Sequence, residues 1–452
     1  MPEPEQHAHT ARIEPRALLA LMTSVVVVTI DISLTSTAVP AIAQGLGQSP
    51  ASTIWIINAY YLCVVASLLP LAALGEIIGH KRVFTVGLGV FALGALASGL
   101  SESLTALMLS RGLLGMGAAA VSATTPALIK ALYPPSQIGR GLGLYALMVG
   151  LAFTAGPTAV SAVLSIASWH WIYLANAPFA LLALFLVRGG LPDTERATRT
   201  FDPIAAMLCA LMFAALLAAL SSLGHVKWLE VGISTATAIA LAYALVRREA
   251  GNPAPILGID LFRIRLFTLS SLTSITAFTV QALVFVVLPL LLTIELGYKP
   301  VEAGLLITPW PAALAIVNVI SGRLSEQIKP GLLGAIGMAI VAVGLLQVAT
   351  LPPAPDAFDI GWRLVVCGVG FGLFQSPNMV AMMNSAPKAR SGSAGGILAT
   401  SRLLGQSIGA ASVAFCLTSF AEHGIAAALW VGVAAATLSA AVSALRLSKW
   451  AS

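Results

Sequence analysis

Charge is what this chain has least of. Of its 452 residues only 9% are Asp, Glu, Lys or Arg, while 58% are hydrophobic; soluble domains carry roughly 25% charged residues. So few charges do not cover a water-facing surface, and a soluble globular fold is excluded. Cysteine is nearly as scarce. Cys63, Cys209, Cys367 and Cys416 each lie inside an apolar run with no metal or redox spacing, which leaves them as small packed residues. The Gly-rich stretch Ser391-Gly-Ser-Ala-Gly-Gly396 lacks the Gly-Lys-Ser/Thr ending of a phosphate loop. No nucleophile–base constellation or metal cluster stands out, and no cofactor is expected. A membrane enzyme acting on lipids would gather acids or His at one bilayer face, and here they are scattered. A receptor would bring a soluble output domain, and no loop is long enough for one. The pI near 9.3 comes from basic residues spread singly and in pairs through loops, which suits membrane topology rather than nucleic-acid binding.

What the chain does have is long apolar runs of about 20 residues, the length that crosses a bilayer core. They fall near 17–43, 52–75, 83–101, 104–131, 138–163 and 168–190, then 202–222 and 227–246. Six more lie near 266–292, 300–321, 330–350, 360–384, 393–418 and 424–446. The expected fold is an all-α membrane protein of fourteen transmembrane helices. The polar residues ahead of the first run include Glu3, Glu5 and Glu14 rather than a short basic segment, so the first run reads as an uncleaved helix.

Basic residues test the count. With the N-terminus cytoplasmic, only Lys227, Lys299 and Arg363 fall outside, and Arg111 and Arg402 fall within helices. The remaining nineteen of the 24 Lys and Arg residues lie inside, the bias expected of an even number of spans. An internal repeat appears at an offset of about 250. Ala72-Ala-Leu74-Gly-Glu76-Ile-Ile78-Gly79 recurs as Gly322-Arg-Leu324-Ser-Glu326-Gln-Ile328-Lys329, and Gly117 and Pro126 align with Gly368 and Pro377. The organisation that follows is a tail at 1–16, a six-helix half at 17–190, an inserted helix pair with its flanking loops at 191–265, a second six-helix half at 266–446 and a tail at 447–452. Repeated halves related by an axis along the membrane normal place a transport site between them.

Several motifs resemble those of one family. Asp31-Ile-Ser-Leu-Thr-Ser-Thr-Ala-Val-Pro40 resembles the helix 1 signature of the fourteen-helix drug:proton antiporters of the major facilitator superfamily. Ala72 through Gly79-His80-Lys81-Arg82 resembles the superfamily loop Gly-x-Leu-Ala-Asp-Arg-x-Gly-Arg-Lys. Arg111-Gly-Leu-Leu-Gly115-Met-Gly117-Ala-Ala119 resembles its helix 4 motif, with Leu114 where Gln is usual. Gly150, Gly156 and Pro157 resemble the helix 5 antiporter motif, whose closing Gly-Gly is replaced by Val160 and Ser161. Trp169-His-Trp171-Ile-Tyr-Leu-Ala-Asn176-Ala-Pro178 resembles the start of helix 6. The resemblance implies a proton-coupled exporter of lipophilic compounds, monomeric, in a bacterial inner membrane with both termini cytoplasmic. A proton-coupled or facilitative uptake carrier for a metabolite is the alternative.

Asp31 is the only carboxylate deep inside an apolar run, roughly 20 Å along helix 1. An ionisable residue there is a functional-site candidate by default, here for proton coupling. Arg111 lies at a comparable depth on helix 4 and would tune that carboxylate or hold an anionic group. Arg402 is expected near the cytoplasmic end of helix 13, where its side chain can snorkel. The resemblance implies a gate of Glu76, Gly79, Lys81 and Arg82, with the acid served by the helix dipole and basic partners, and the repeat adds Arg323 and Glu326. Trp55, Tyr60, Gln281, Trp310, Phe374, Gln375 and Asn378 are candidates to line a substrate cavity. The expected partners are a lipophilic small molecule, protons and the lipid bilayer.

Overall fold

The computed structural model describes residues 14–447 except 49–52, 54, 195, 199, 225, 253–254, 299, 353–354 and 421–422. Almost all of these residues are helical. The first half contains α1 (Pro15–Gly45), α2 (Trp55–Ile78), α3 (His80–Gly99), α4 (Leu104–Leu132), α5 (Ile138–Leu164) and α6 (Asn176–Gly190). The inserted pair is α7 (Pro203–Gly224) and α8 (Trp228–Arg248). The second half contains α9 (Arg265–Leu290), α10 (Pro309–Leu324), α11 (Pro330–Ala349), α12 (Ala357–Ser385), α13 (Ser391–Ser419) and α14 (Gly424–Ala444). The tails expected at 1–16 and 447–452 fall mostly outside the described residues.

Local chemistry sets the helix ends. Pro15, Pro309 and Pro330 open α1, α10 and α11, where the missing N–H costs nothing. Ser103 caps α4 by accepting from Ala106 N, and Asp356 caps α12 by accepting from Asp359 N. Asp202 accepts from Ile204 N and Ala205 N at the start of α7. Arg248, whose guanidinium also hydrogen-bonds Asp202, holds that carboxyl below the usual carboxylate range. Gly79, at φ +99°, makes the tight turn that lets α3 begin one residue after α2 ends. Pro289 interrupts α9, and the chain continues as a π turn over Leu291–Glu295.

Among the described residues, twelve helices are long and apolar enough to cross a membrane. Two of the fourteen apolar runs are not in that count. α5 contributes only a shorter apolar stretch, Ile138–Ala152, and α13, although 29 residues long, carries Ser, Gly, Arg402 and Gln406 along its length. Fourteen spans is therefore more than these criteria support.

The two halves share one contact pattern. In the first, α1 packs on α5 and α6, α3 on α4 and α6, and α2 on α4. In the second, α9 packs on α13 and α14, α11 on α12 and α14, and α10 on α12. The contacts between halves, α5 with α10 and α2 with α13, exchange under the same correspondence. Glycines fix the register. A Cβ on Gly115 would lie 2.7 Å from the Tyr60 carbonyl oxygen, and one on Gly117 would lie 2.7 Å from that of Gly87. In the second half Gly368 meets the carbonyl of Trp310, and a Cβ on Gly370 would lie 2.5 Å from that of Gly337. Tyr60 pairs with Trp310 and Gly87 with Gly337 at the expected offset of 250, but Gly117 corresponds to Gly370, not Gly368. The expected alignment of α4 with α12 was two residues out, because the loop before α12 is longer.

We call the membrane face where α1 begins and α14 ends the terminal face. The halves meet there. A Cβ on Gly139 of α5 would lie 3.0 Å from Ser325 Oγ at the end of α10, and Gly139 also abuts the Gly322 carbonyl. Gly392 at the start of α13 abuts His80, and a Cβ there would lie 2.8 Å from the Ala72 carbonyl oxygen and from Glu76 Cγ. Lys130 at the end of α4 donates to Met383 O (2.5 Å) and Ala386 O (3.1 Å) at the end of α12. The inserted α7 lies against α2 and α13, and α8 packs mainly on α7 with its outer side exposed.

Candidate functional site

Three helices of the first half build the deeper site. Arg111 Nη1 donates to Asp31 Oδ2 at 2.7 Å, and both side chains are buried. Asn176 Nδ2, at the start of α6, donates to Asp31 Oδ1 at 3.0 Å. The two carboxylate oxygens are thus held by two different helices. The guanidinium lies over the rings of Tyr60 and Tyr173, 4.6 and 5.4 Å from their centroids, so cation–π contact supplements the ion pair. Arg111 Nε is buried and has no hydrogen-bond partner among the described residues. α5 closes on this region through Gly156, whose Cα abuts Ser33, two residues beyond Asp31 on α1. Gly150 faces Leu314 and Ala315 of α10 instead, across the halves. The side chain of Pro157 lies outside the described residues.

The structure therefore brings Asp31 and Arg111 together, as their matching depths suggested. Asn176 and Tyr173 were missed as partners. Their signal was present, since both lie in the aromatic motif at the start of α6, but spacing along the chain does not say which way they face.

A second buried cluster closes the terminal face. Glu76, near the end of α2, accepts from Arg390 Nη1 at 3.0 Å and from Ser393 N at 2.7 Å, both in the second half. Ser393 N is one of the free N–H groups at the start of α13, where the helix dipole also favours an anion. Arg390 is held on its other side by Asp260, at 2.9 Å to Nε and 2.7 Å to Nη2, and by the Pro255 carbonyl at 2.9 Å. Arg390 is thus a basic partner of Glu76. Lys81 and Arg82, expected in that role, make no side-chain hydrogen bond or ion pair among the described residues; Arg82 points to the exposed surface. The repeat does not carry the cluster over either. Glu326 and Arg323 are both exposed, because α10 ends in a loose turn where α2 ends in the tight Gly79 turn.

The loops beside the inserted pair join the same cluster. Before α7, Ala197 N donates to the Glu76 carbonyl at 2.7 Å, and Thr194 Oγ1 accepts from His80 N at 3.0 Å. After α8, the loop supplies Pro255 and Asp260 to Arg390. One flanking loop holds the first-half side of this cluster and the other holds the second-half side.

The seven cavity candidates are not gathered in one place. Tyr60 stacks on Arg111. Trp310 and Phe374 are buried in an aromatic cluster of the second half with Phe278, Phe285 and Phe371. Gln375 accepts from Asn318 Nδ2 at 3.0 Å, between α10 and α12. Asn378 is occupied at the terminal face, donating to Ser270 O at 3.2 Å and accepting from Arg446 Nη1 at 2.8 Å. Gln281 is half-buried on α9, and Trp55 is 58% exposed at the opposite end of α2. Arg402 also differs from expectation: α13 starts at Ser391, so Arg402 sits roughly 16 Å into the helix, well away from the terminal face. No group of three or more His, Cys, Asp or Glu placed to hold a metal occurs among the described residues.

Two repeated six-helix bundles that meet at one membrane face, with a buried ion pair inside one of them, form the architecture of a membrane transporter. Residues 21–410 match the Major Facilitator Superfamily, and the chain belongs to that family. It is 41% identical over 436 residues to a protein named uncharacterized transporter YebQ, from Escherichia coli (strain K12), covering 96% of this chain and 95% of that one. Riboflavin transporter RibZ of Clostridioides difficile (strain 630) is 27% identical, covering 87% of this chain and 86% of RibZ. Multidrug resistance protein Stp of Mycobacterium tuberculosis is 28% identical, covering 90% of this chain and 77% of Stp. The fold matches the proton:xylose symporter XylE with a TM-score of 0.70 at 14% identity, over 97% of this chain and 95% of that one.

Proposed function

We propose that this protein exports lipophilic small molecules across a bacterial inner membrane in exchange for protons, by alternating access. The observation that carries the proposal is the buried pair of Asp31 and Arg111. A buried ion pair is weak evidence for stability, since hydrophobic replacements of equal volume often do as well. A transporter has a use for it. A proton arriving at Asp31 removes the negative partner of Arg111 and leaves a guanidinium that must find another counter-charge. The site then differs in charge between its two protonation states, and helices α1, α4 and α6, which meet there, have a reason to move.

In this reading the halves alternate between the arrangement seen here, with the terminal face closed by Glu76 and Arg390, and one in which that face is open. All fourteen helices cross the bilayer. α5 and α13 fall short in apolarity because their small and polar faces are turned to the opposite half, not to lipid. The bias of basic residues puts the terminal face in the cytoplasm, and the chain works as a monomer. Stp, the relative named for multidrug resistance, supports export.

Transport into proteoliposomes with an imposed pH gradient tests the reading, using a panel of lipophilic cations, neutral compounds and anions. Accumulation that collapses with a protonophore, and is absent for Asp31→Asn, is expected. Accumulation indifferent to the gradient would refute proton exchange.

A further inference from the structure

Arg402 is the mid-membrane charge that the mechanism above does not use. It makes no hydrogen bond or ion pair among the described residues, and its nitrogens are not sealed from solvent. Asp31, the deep carboxylate, is already neutralised by Arg111. Arg402 is therefore an uncompensated cation well inside the helical bundle.

Its position in the packing shows what it faces. Near the start of α13, a Cβ on Gly395 would lie 2.9 Å from the Ala123 carbonyl oxygen and 3.5 Å from Pro126, so α13 and α4 touch backbone to backbone. Seven residues are almost two full turns, so Arg402 shares the Gly395 face of α13. The helices run antiparallel, and the matching step along α4 leads from Ala123 to Met116. Met116 is 42% exposed, and Arg402 is half-buried. One step deeper than the contact of Gly395 with Ala123, the same faces of the two helices thus carry a guanidinium and a thioether that are both accessible. α2 forms the third wall: a Cβ on Gly396 would lie 3.7 Å from the Leu68 carbonyl oxygen, and the same two-turn step along α2 leads from Leu68 to Tyr61, which is half-buried.

We propose that this region between α2, α4 and α13 is a substrate site, and that it takes amphipathic organic anions whose carboxylate or sulfonate pairs with Arg402. The proposal rests on the transport reading above and names its substrate class. An unpaired cation in a low-dielectric setting selects strongly for an anion, because the incoming group removes the cost of leaving that charge unpartnered. Met116 supplies a polarisable, adaptable surface for an apolar body, and Tyr61 a ring with a polar tip. A cationic drug in the same place would meet a like charge.

Equilibrium binding to the purified protein in lipid nanodiscs tests this with two fluorescent aromatic probes, the carboxylate fluorescein and the cation ethidium. Wild type should prefer fluorescein. Arg402→Gln should weaken fluorescein binding at least about tenfold, as expected when a buried charge partner is lost. Arg402→Lys, which keeps the charge, should stay within about threefold, and ethidium should bind Arg402→Gln no more weakly than wild type. A second measurement keeps Arg402 intact: in a Cys63→Ala background, Met116→Cys should react with an anionic methanethiosulfonate, and fluorescein should slow that reaction. Preference for ethidium, undiminished fluorescein binding by Arg402→Gln, or a Met116→Cys that does not react would overturn the site. Binding needs no gradient, so its loss rejects the anion site alone. Intact binding without proton-driven transport rejects the coupling reading alone.

Discussion

Arg390, in the turn that precedes α13, donates to the carboxylate of Glu76 on α2 across the junction of the two halves, 3.0 Å away and 314 residues distant in the chain. Both side chains are buried. In the proposed cycle this contact forms only while the terminal face is closed, so its free energy favours that state.

Removing either partner should open the terminal face. Taking one member from a buried, hydrogen-bonded pair costs about 3–5 kcal/mol, and even 1.4 kcal/mol changes a two-state ratio about tenfold. Spin labels at Arg82 and Gln327, on opposite halves, should show longer distances in Glu76→Gln and in Arg390→Gln. The double variant should be no more open than the worse single one, because both remove one contact. Glu326→Gln should leave the distances unchanged, its side chain being exposed. A shift in Glu326→Gln equal to that in Glu76→Gln would contradict the asymmetry.

Asp260 adds a test of the inserted pair. It neutralises Arg390 from the loop that follows α8. Asp260→Asn should open the terminal face less than Glu76→Gln does, since Glu76 and Pro255 still hold the guanidinium. An effect as large as that of Arg390→Gln would mean the loop, not α2, dominates closure.

Asp31→Asn should abolish proton-driven transport and also lower thermal stability, because Arg111 is left buried without its counter-charge. Adding Arg111→Gln should recover much of the lost stability without restoring transport. Thermal unfolding of both variants, beside transport in proteoliposomes, separates the structural role of the pair from its coupling role. Full pH-driven transport by either variant would place the coupling elsewhere.

Glycine contacts should show up in stability. Gly117→Ala and Gly370→Ala each push a methyl against the backbone of a neighbouring helix, and should cost about 1–3 kcal/mol. Gly89→Ala, whose Cβ would meet nothing within 4 Å, is the control and should be neutral or slightly stabilising. Similar melting temperatures for all three would show that the close helix approaches are not tight.

The outer surface of α8 should contact lipid. Ile239 is 64% exposed on an apolar helix. In a background without native cysteines, Ile239→Cys should react with a membrane-partitioning maleimide and resist a charged, membrane-impermeant one. Rapid reaction with the charged reagent would put water beside α8.

That this is a membrane protein, where nearly all of its helices lie, and which family it belongs to were all legible in the amino-acid order. Those properties are local: a run of apolar residues is long enough to cross a bilayer or it is not, and a short motif can be read without its neighbours. The depths of Asp31 and Arg111 were legible for the same reason, by counting along single helices. The expectation for Arg402 failed even so: a run starting near 393 already put it nine residues into α13, and the helix begins only two residues earlier, at Ser391. Which charges meet depends on how the helices pack. Glu76 had Lys81 and Arg82 close by in the chain, yet it pairs with Arg390, because the Gly79 turn and the docking of α13 on α2 bring that guanidinium to the carboxylate. The repeat likewise suggested two equivalent gates, and packing made one buried and left the other exposed. Partner choice in a helical bundle depends on which faces are pressed together, and nothing short of the assembled halves specifies that.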